Sequence, residues 1–116
     1  MQPPKCSPTS GNWQAVRHRL AETLVAIEGA ESTLRAATDD LGCLLAKAAA
    51  GQAALTAAKH CQQVMGGIGF TAEHDLHRHV KRVMVLDGLL GSTRDLTREA
   101  GATVRALGHA PRLANL

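Results

Sequence analysis

The chain has 116 residues, is 45% hydrophobic and 20% charged, and carries a formal charge of +3. That is one domain with one modest core. Aromatic residues amount to 2%, Trp13 and Phe70 alone, so the core must be built from Ala, Leu and Val. Such a core suits close-packed helices and excludes an aromatic- and β-branched-rich sandwich.

The excess positive charge is spread along the chain and interrupted by acids, unlike the clustered basic face of a nucleic-acid binder. Without aromatic rings to stack on bases, single-strand binding is also disfavoured. Lys47 interrupts the longest apolar stretch, so no membrane span is expected. Residues 1–12 lack the apolar core of a signal peptide. Cys6, Cys43 and Cys61 are odd in number and not spaced as metal ligands, which points to a reduced, cytoplasmic setting.

Residues 1–12 contain three of the four prolines and are expected to form an extended or disordered lead-in. From Trp13 the pattern is helical: Trp13, Val16, Leu20, Leu24, Ile27 and Leu34 recur at three- and four-residue steps as a candidate core stripe, with Asn12 as cap. Asp39 and Asp40 mark a break and a fresh N-terminus. An alanine-dominated second helix is expected over about 41–64, with Leu41, Leu44, Leu45, Ala48, Leu55 and Ala58 facing inward. Gly66, Gly67 and Gly69 should end it, because glycine takes positive φ without strain. Thr71 can cap a third helix bearing Leu76, Val80, Val83, Leu86 or Asp87, and Leu90. Gly91 and Ser92 permit a break, and Leu96, Val104 and Leu107 form a weaker, short fourth helix. Residues 108–116 read as a frayed tail. The fold class is therefore all-α, an up-down bundle of three long helices and a short fourth, with the domain over 13–107.

Chemistry-bearing patterns are few. The glycine turn allows close backbone approach, and amides at the start of the third helix would form an anion site suited to pyrophosphate; a plain helix–helix corner explains the same glycines. His74 and His77 share a helix face, but no third ligand accompanies them, so no metal site is expected. Asp87 is the one carboxylate on or beside an apolar stripe, and a boundary position paired with an arginine accounts for it. Spacing alone identifies no nucleophile, base or enzyme.

Two blocks carry a resemblance. Gln63, Gly66, Gly67, Gly69 and Phe70, continued as Thr71, Glu73, His74, Asp75, Leu76 and His77, resemble the Q-x-x-G-G-x-G-[FY] turn and T-x-E-H-D-L-H sequel of the acyl-CoA dehydrogenase family's C-terminal helical domain. The run from Gln14 to Val25 resembles that family's QAV helix. The two blocks span about residues 11–94.

The resemblance implies a four-helix-bundle domain of FAD-dependent enzymes that desaturate acyl-CoA thioesters between the α and β carbons. A carboxylate takes the α proton and hydride passes to the flavin. It implies that Gln63, Gly66 and Gly67 contact the pyrophosphate of an FAD held largely by a neighbouring subunit, with Ser92 adding a weaker contact. It also implies departures. The helix whose Arg and Phe meet the nucleotide is missing, its positions falling near Pro3 and Cys6. Leu90 stands where many members carry the catalytic Glu, and Ser92 and Arg94 replace the usual T-x-Q. The expected role is a truncated or stand-alone C-terminal domain, not catalytic alone and meeting acyl-CoA only indirectly. Its open bundle face would dock a second copy or a larger flavoprotein subunit. The alternative is a cofactor-free helical assembly module that retains only the fold.

Overall fold

A computed structural model of the chain describes residues 7–68 and 73–110. These form four helices: α1 (Ser7–Ala36), α2 (Asp40–Ile68), α3 (Glu73–Gly88) and α4 (Thr93–Leu107). The all-α expectation holds. Every extensive helix–helix contact among the described residues involves α2, which packs along α1, α3 and α4. Side-chain pairs set the directions. Arg19 meets Gln63 and Glu22 meets His60, so α1 and α2 are antiparallel, while Lys47 reaches the end of α3 at Asp87, so α2 and α3 are antiparallel too.

The helix boundaries follow local chemistry. Helix α1 begins at Ser7, so the expected boundary after residue 12 falls inside it. Pro8 stands in the first turn, where its missing N–H would have had no partner anyway, so proline is compatible with the helix there. Asp39 caps α2: its Oδ1 accepts from Gly42 N–H at 2.7 Å and its carbonyl from Cys43 N–H at 2.9 Å, the pattern of an N-cap acid. Helix α4 is a full 15 residues and is capped at both ends. Ser92 Oγ accepts from Asp95 N–H, and Gly108, at φ 80°, donates to the Val104 carbonyl. The weak fourth helix is thus as well defined as the third. Glycine is only mildly unfavourable inside a helix, and Gly101 sits in α4 with no neighbour near its absent side chain.

Two expectations about packing are corrected. In α1 the residues turned toward α2 are Val16, Arg19, Thr23, Ala26, Ala30 and Thr33, all half-buried, whereas Trp13, Leu20, Leu24, Ile27 and Leu34 are exposed. Trp13 retains 63% and Leu34 65% of its accessible surface. Small side chains let the two helix backbones approach closely, and the large apolar side chains, one sector further round α1, stay mostly exposed, Leu34 lining the edge of a groove against Ala46 and Ala50 of α2. In α2 the buried positions are Gly42, Ala46, Ala48, Gly51, Ala53 and His60, while the expected Leu41, Leu44, Leu45, Leu55 and Ala58 are half-buried.

The core is consequently thin. It consists of Ala46, Ala48, Ala53, Val80, Leu96 and Ala100. Burying a methyl-sized group contributes about 0.8 kcal/mol, against about 1.5–3 kcal/mol for a whole leucine. The Cα radius of gyration is 18.1 Å, against roughly 13 Å for a compact domain of this length. The four helices form an open assembly around α2.

By length and composition α2 is also apolar enough to cross a membrane over Asp40–Gly66, at a mean hydropathy of 1.3; a single Lys47 does not prevent that. Here it serves as the central helix of the bundle. Lys47 is half-buried and donates to the carbonyls of Asp87 at 3.2 Å and Gly91 at 3.0 Å, tying α2 to the α3–α4 corner.

That corner is tight and strained. Asp87 Oδ1 accepts from the Thr93 N–H at 3.1 Å and from the Thr93 hydroxyl, so its partner is a helix start and not the expected arginine. A side chain on Gly51 would come within 2.6 Å of Asp87 Oδ1 and closer still to the Thr93 hydroxyl. Leu90 adopts φ 61°, a left-handed conformation that costs a residue with a Cβ about 1–2 kcal/mol. These features give stability changes of opposite sign. Gly51→Ala should destabilise by about 1–3 kcal/mol by overpacking the corner. Leu90→Gly should stabilise by about 0.5–1 kcal/mol by relieving the backbone. Urea unfolding followed by circular dichroism checks both; equal midpoints for the two variants and the wild type would contradict this account of the corner.

Candidate functional site

Helix α2 runs through Gly66 and Gly67 to Ile68, so these glycines do not form the turn expected from their spacing. Their amides belong to the last turns of a helix, where each N–H points back to a carbonyl four residues earlier. They are therefore not free donors, and the end they occupy is the negative end of the helix dipole. Gly69, Phe70 and the expected cap Thr71 lie outside the described residues. An anion site made of free glycine amides has no support here.

What this end does offer is a guanidinium, an amide and bare backbone. Arg19, on the α2-facing row of α1, donates from Nη1 to Gln63 Oε1. That leaves the Gln63 amide nitrogen and the rest of the guanidinium fork as donors. One turn along, Gly66 is exposed, and among the described residues nothing lies within 4 Å of where its Cβ would be. A ligand can approach the helix backbone there without a clash. Arginine suits phosphate because its planar fork donates in parallel pairs and keeps its charge at every accessible pH. Arg19 is the residue that sequence reasoning missed. Its only signal was its place on the same helical row as Val16, Thr23 and Ala26.

Below this end sits His60, 7% exposed. Its Nε2 is 3.0 Å from Glu22 Oε2, and its buried Nδ1 has no hydrogen-bond partner. The pair links α1 to α2 beside Arg19 and Gln63. His77 and His79 are exposed on α3, and the side chain of His74 lies outside the described residues.

Ser92 does not join the Gln63 end. It stands by Gly91, whose carbonyl binds Lys47, and Lys47 is 16 residues from Gln63 along α2, about 24 Å at 1.5 Å per residue. Its hydroxyl is engaged with the Asp95 N–H at 3.2 Å and with Asp95 Oδ2 at 2.9 Å. Leu90, where a carboxylate base would stand, is 87% exposed and has no acid–base chemistry. The nearest acid, Asp87, is held by Thr93. A cavity of about 250 Å³ between α2 and α3 is lined by Lys47, Ala50, Gly51, Ala54, Val83, Leu86 and Asp87. Its two charged residues both make corner contacts, Lys47 to two carbonyls and Asp87 through Oδ1.

The geometry thus separates an end where Arg19 and Gln63 keep donors beside Gly66 from a structural corner at Lys47, Asp87 and Ser92. Comparison with known proteins gives the family. The family model described as "Acyl-CoA dehydrogenase, C-terminal domain" matches residues 9–102. The chain belongs to this family. The match takes in α1 from its third residue and most of α4, so all four helices are part of the domain. The chain is 38% identical over 106 residues to acyl-CoA dehydrogenase FadE34 of Mycobacterium tuberculosis, covering 83% of this chain and 15% of that protein. It is 35% identical over 97 residues to acyl-CoA dehydrogenase IpdE2 of the same organism, covering 81% of this chain and 30% of the relative. The IpdE2 of Mycolicibacterium smegmatis is 31% identical over 97 residues, with 31% of its length covered. The chain therefore spans less than a third of each of these acyl-CoA dehydrogenases. No solved structure matches.

Proposed function

We propose that this acyl-CoA dehydrogenase C-terminal domain presents the Arg19–Gln63–Gly66 end of its α1–α2 hairpin to the pyrophosphate of an FAD held mainly by another domain or subunit. The observation that carries the reading is the juxtaposition of a guanidinium and an amide beside a helix backbone that nothing covers at Gly66. Those groups fit a diphosphate: two sets of N–H donors and room for close approach. When bound, FAD supplies the hydride acceptor for desaturation of an acyl-CoA thioester. This chain's residues hold and orient the nucleotide's phosphates, and Gly67 follows in the same last turn of α2. Leu90 has no carboxylate and Asp87 Oδ1 is engaged with Thr93, so this reading assigns the α-proton acceptor to another part of the assembled enzyme. Acyl-CoA meets the domain only through the assembled enzyme. Assembly uses the exposed face of α1, and the setting is cytoplasmic.

A second reading, a cofactor-free assembly module, is favoured by one observation. Ser92, which the family resemblance would turn toward the flavin, has its hydroxyl engaged with Asp95.

Gly66→Ala separates the two. Open space surrounds the new methyl group and alanine is the better helix former by about 1 kcal/mol, so the fold should be as stable as wild type or more so. Titration with FAD of the assembly that this chain forms with the domain or subunit holding most of the cofactor, followed by flavin fluorescence, should show saturable binding that Gly66→Ala and Arg19→Ala each weaken about tenfold, the effect expected for losing one charged or closely packed contact. Absence of binding, or equal binding by all three proteins, would sink the FAD reading and leave the assembly module.

A further inference from the structure

Two cross-helix pairs stand side by side where α1 meets the second half of α2. Arg19 donates to Gln63 Oε1, and His60 Nε2 is 3.0 Å from Glu22 Oε2. Arg19 and Glu22 are three residues apart on α1, and His60 and Gln63 three apart on α2, so each couple shares a helix face. An arginine and a glutamate at that spacing attract each other across the helix surface. Glu22 instead crosses to α2 and takes the imidazole as its partner.

The histidine makes the difference between the two arrangements. Its side chain is 9% exposed and that of Glu22 is 67% exposed, so the ring is fixed and the carboxylate is free to swing. An ionised carboxylate only accepts hydrogen bonds, so Nε2 carries the proton of this contact. The buried Nδ1 has no hydrogen-bond partner. Burying an unpartnered ring nitrogen costs stability, and a leucine would fill the same space without that cost. Packing therefore does not account for an imidazole here, whereas its N–H toward Glu22 does. Without that N–H, Glu22 has His18 and Arg19 one turn back along α1, and of these only the arginine is charged at every accessible pH. A carboxylate on Arg19 would occupy the fork of donors that a phosphate needs and set a negative charge beside it.

We propose that His60 is a positioning residue for phosphate recognition: it holds the Glu22 carboxylate against α2 and so keeps the Arg19 guanidinium open. The inference deepens the FAD reading above and rests on it. His60 meets no phosphate itself; it acts through Glu22 on Arg19.

FAD titration of the assembly that this chain forms with the domain or subunit holding most of the cofactor tests the role, with helix content by circular dichroism as the control for folding. His60→Leu removes the donor and keeps the bulk, and it leaves no buried charge behind because Glu22 is exposed. It should weaken FAD binding about threefold, the size of effect expected when a solvent-exposed ion pair competes with the ligand. Glu22→Gln, with no charge to set on Arg19, should bind at least as tightly as wild type. The double variant His60→Leu/Glu22→Gln should match Glu22→Gln, since the histidine has nothing left to restrain. Glu22→Asp changes an exposed position, shortens the reach to His60 and keeps the charge, so it should weaken binding in the same direction as His60→Leu without touching the buried ring. A loss in His60→Leu that Glu22→Gln does not recover would make the histidine a packing residue and overturn the proposal. Unchanged binding in both His60→Leu and Glu22→Asp would overturn it too. If Arg19→Ala weakens binding and these variants do not, the FAD reading stands and this inference falls; if Arg19→Ala has no effect, both fall.

Discussion

The close approach of α1 to α2 is the constraint on which the rest of the molecule depends. Helix α1 turns Thr23, Ala26, Ala30 and Thr33 toward α2, and α2 buries Ala46 and Ala53, which share the helical register of His60 and Gln63. Side chains of that size hold two helices together by proximity, not by bulk. The core gains little apolar area per residue, and the large hydrophobic residues of α1 are displaced to the outside. With so thin a core, polar contacts between helices carry more of the definition of the fold. Glu22–His60 and Arg19–Gln63 fix the register of α1 on α2. Lys47 holds the α3–α4 corner to α2 from the other side.

Those polar contacts divide between two ends of α2, and the division bears on function. At the corner, Lys47, Asp87, Thr93 and Ser92 satisfy one another, and Gly51 makes room for them. Groups so engaged position the helices. At the opposite end, Arg19 and Gln63 retain donors, and Gly66 leaves backbone uncovered. The donors left open therefore lie at the Arg19–Gln63 end, and the corner's groups are engaged in holding α2, α3 and α4 together.

Much of this was legible in the sequence, and the failures have specific causes. The alanine-rich composition and scarcity of aromatics pointed to helices. Asp39 and Asp40 announced a helix start because acidic side chains suit the positive end of the helix dipole, whereas Ser92, read as a permitted break, proved to be the cap of α4. Val80, Val83 and Asp87 fell on the right face of α3. Periodicity misled at α1: it locates an apolar face but does not say whether the same chain or another molecule covers that face. The glycines at 66 and 67 misled because glycine permits a turn without requiring one. Arg19 was invisible as a site residue, since a charge on a helix reads as solvated until its neighbour across the groove is known. Lys47 likewise looked like an interruption of an apolar run, and only the packed corner shows the two carbonyls that hold it.

Trp13 is the single tryptophan of the chain, it lies at one end of the outward stripe, and it keeps 63% of its surface in one copy. Its fluorescence emission, recorded across a dilution series from tens of micromolar to nanomolar, therefore reports directly on the central claim that α1 packs by its small residues and turns its large ones outward. On this account, outward-turned Trp13 should give red-shifted, solvent-exposed emission at the dilute end of the series, with helix content unchanged. Blue-shifted emission that does not respond to dilution would place Trp13 inside a single folded chain and contradict it.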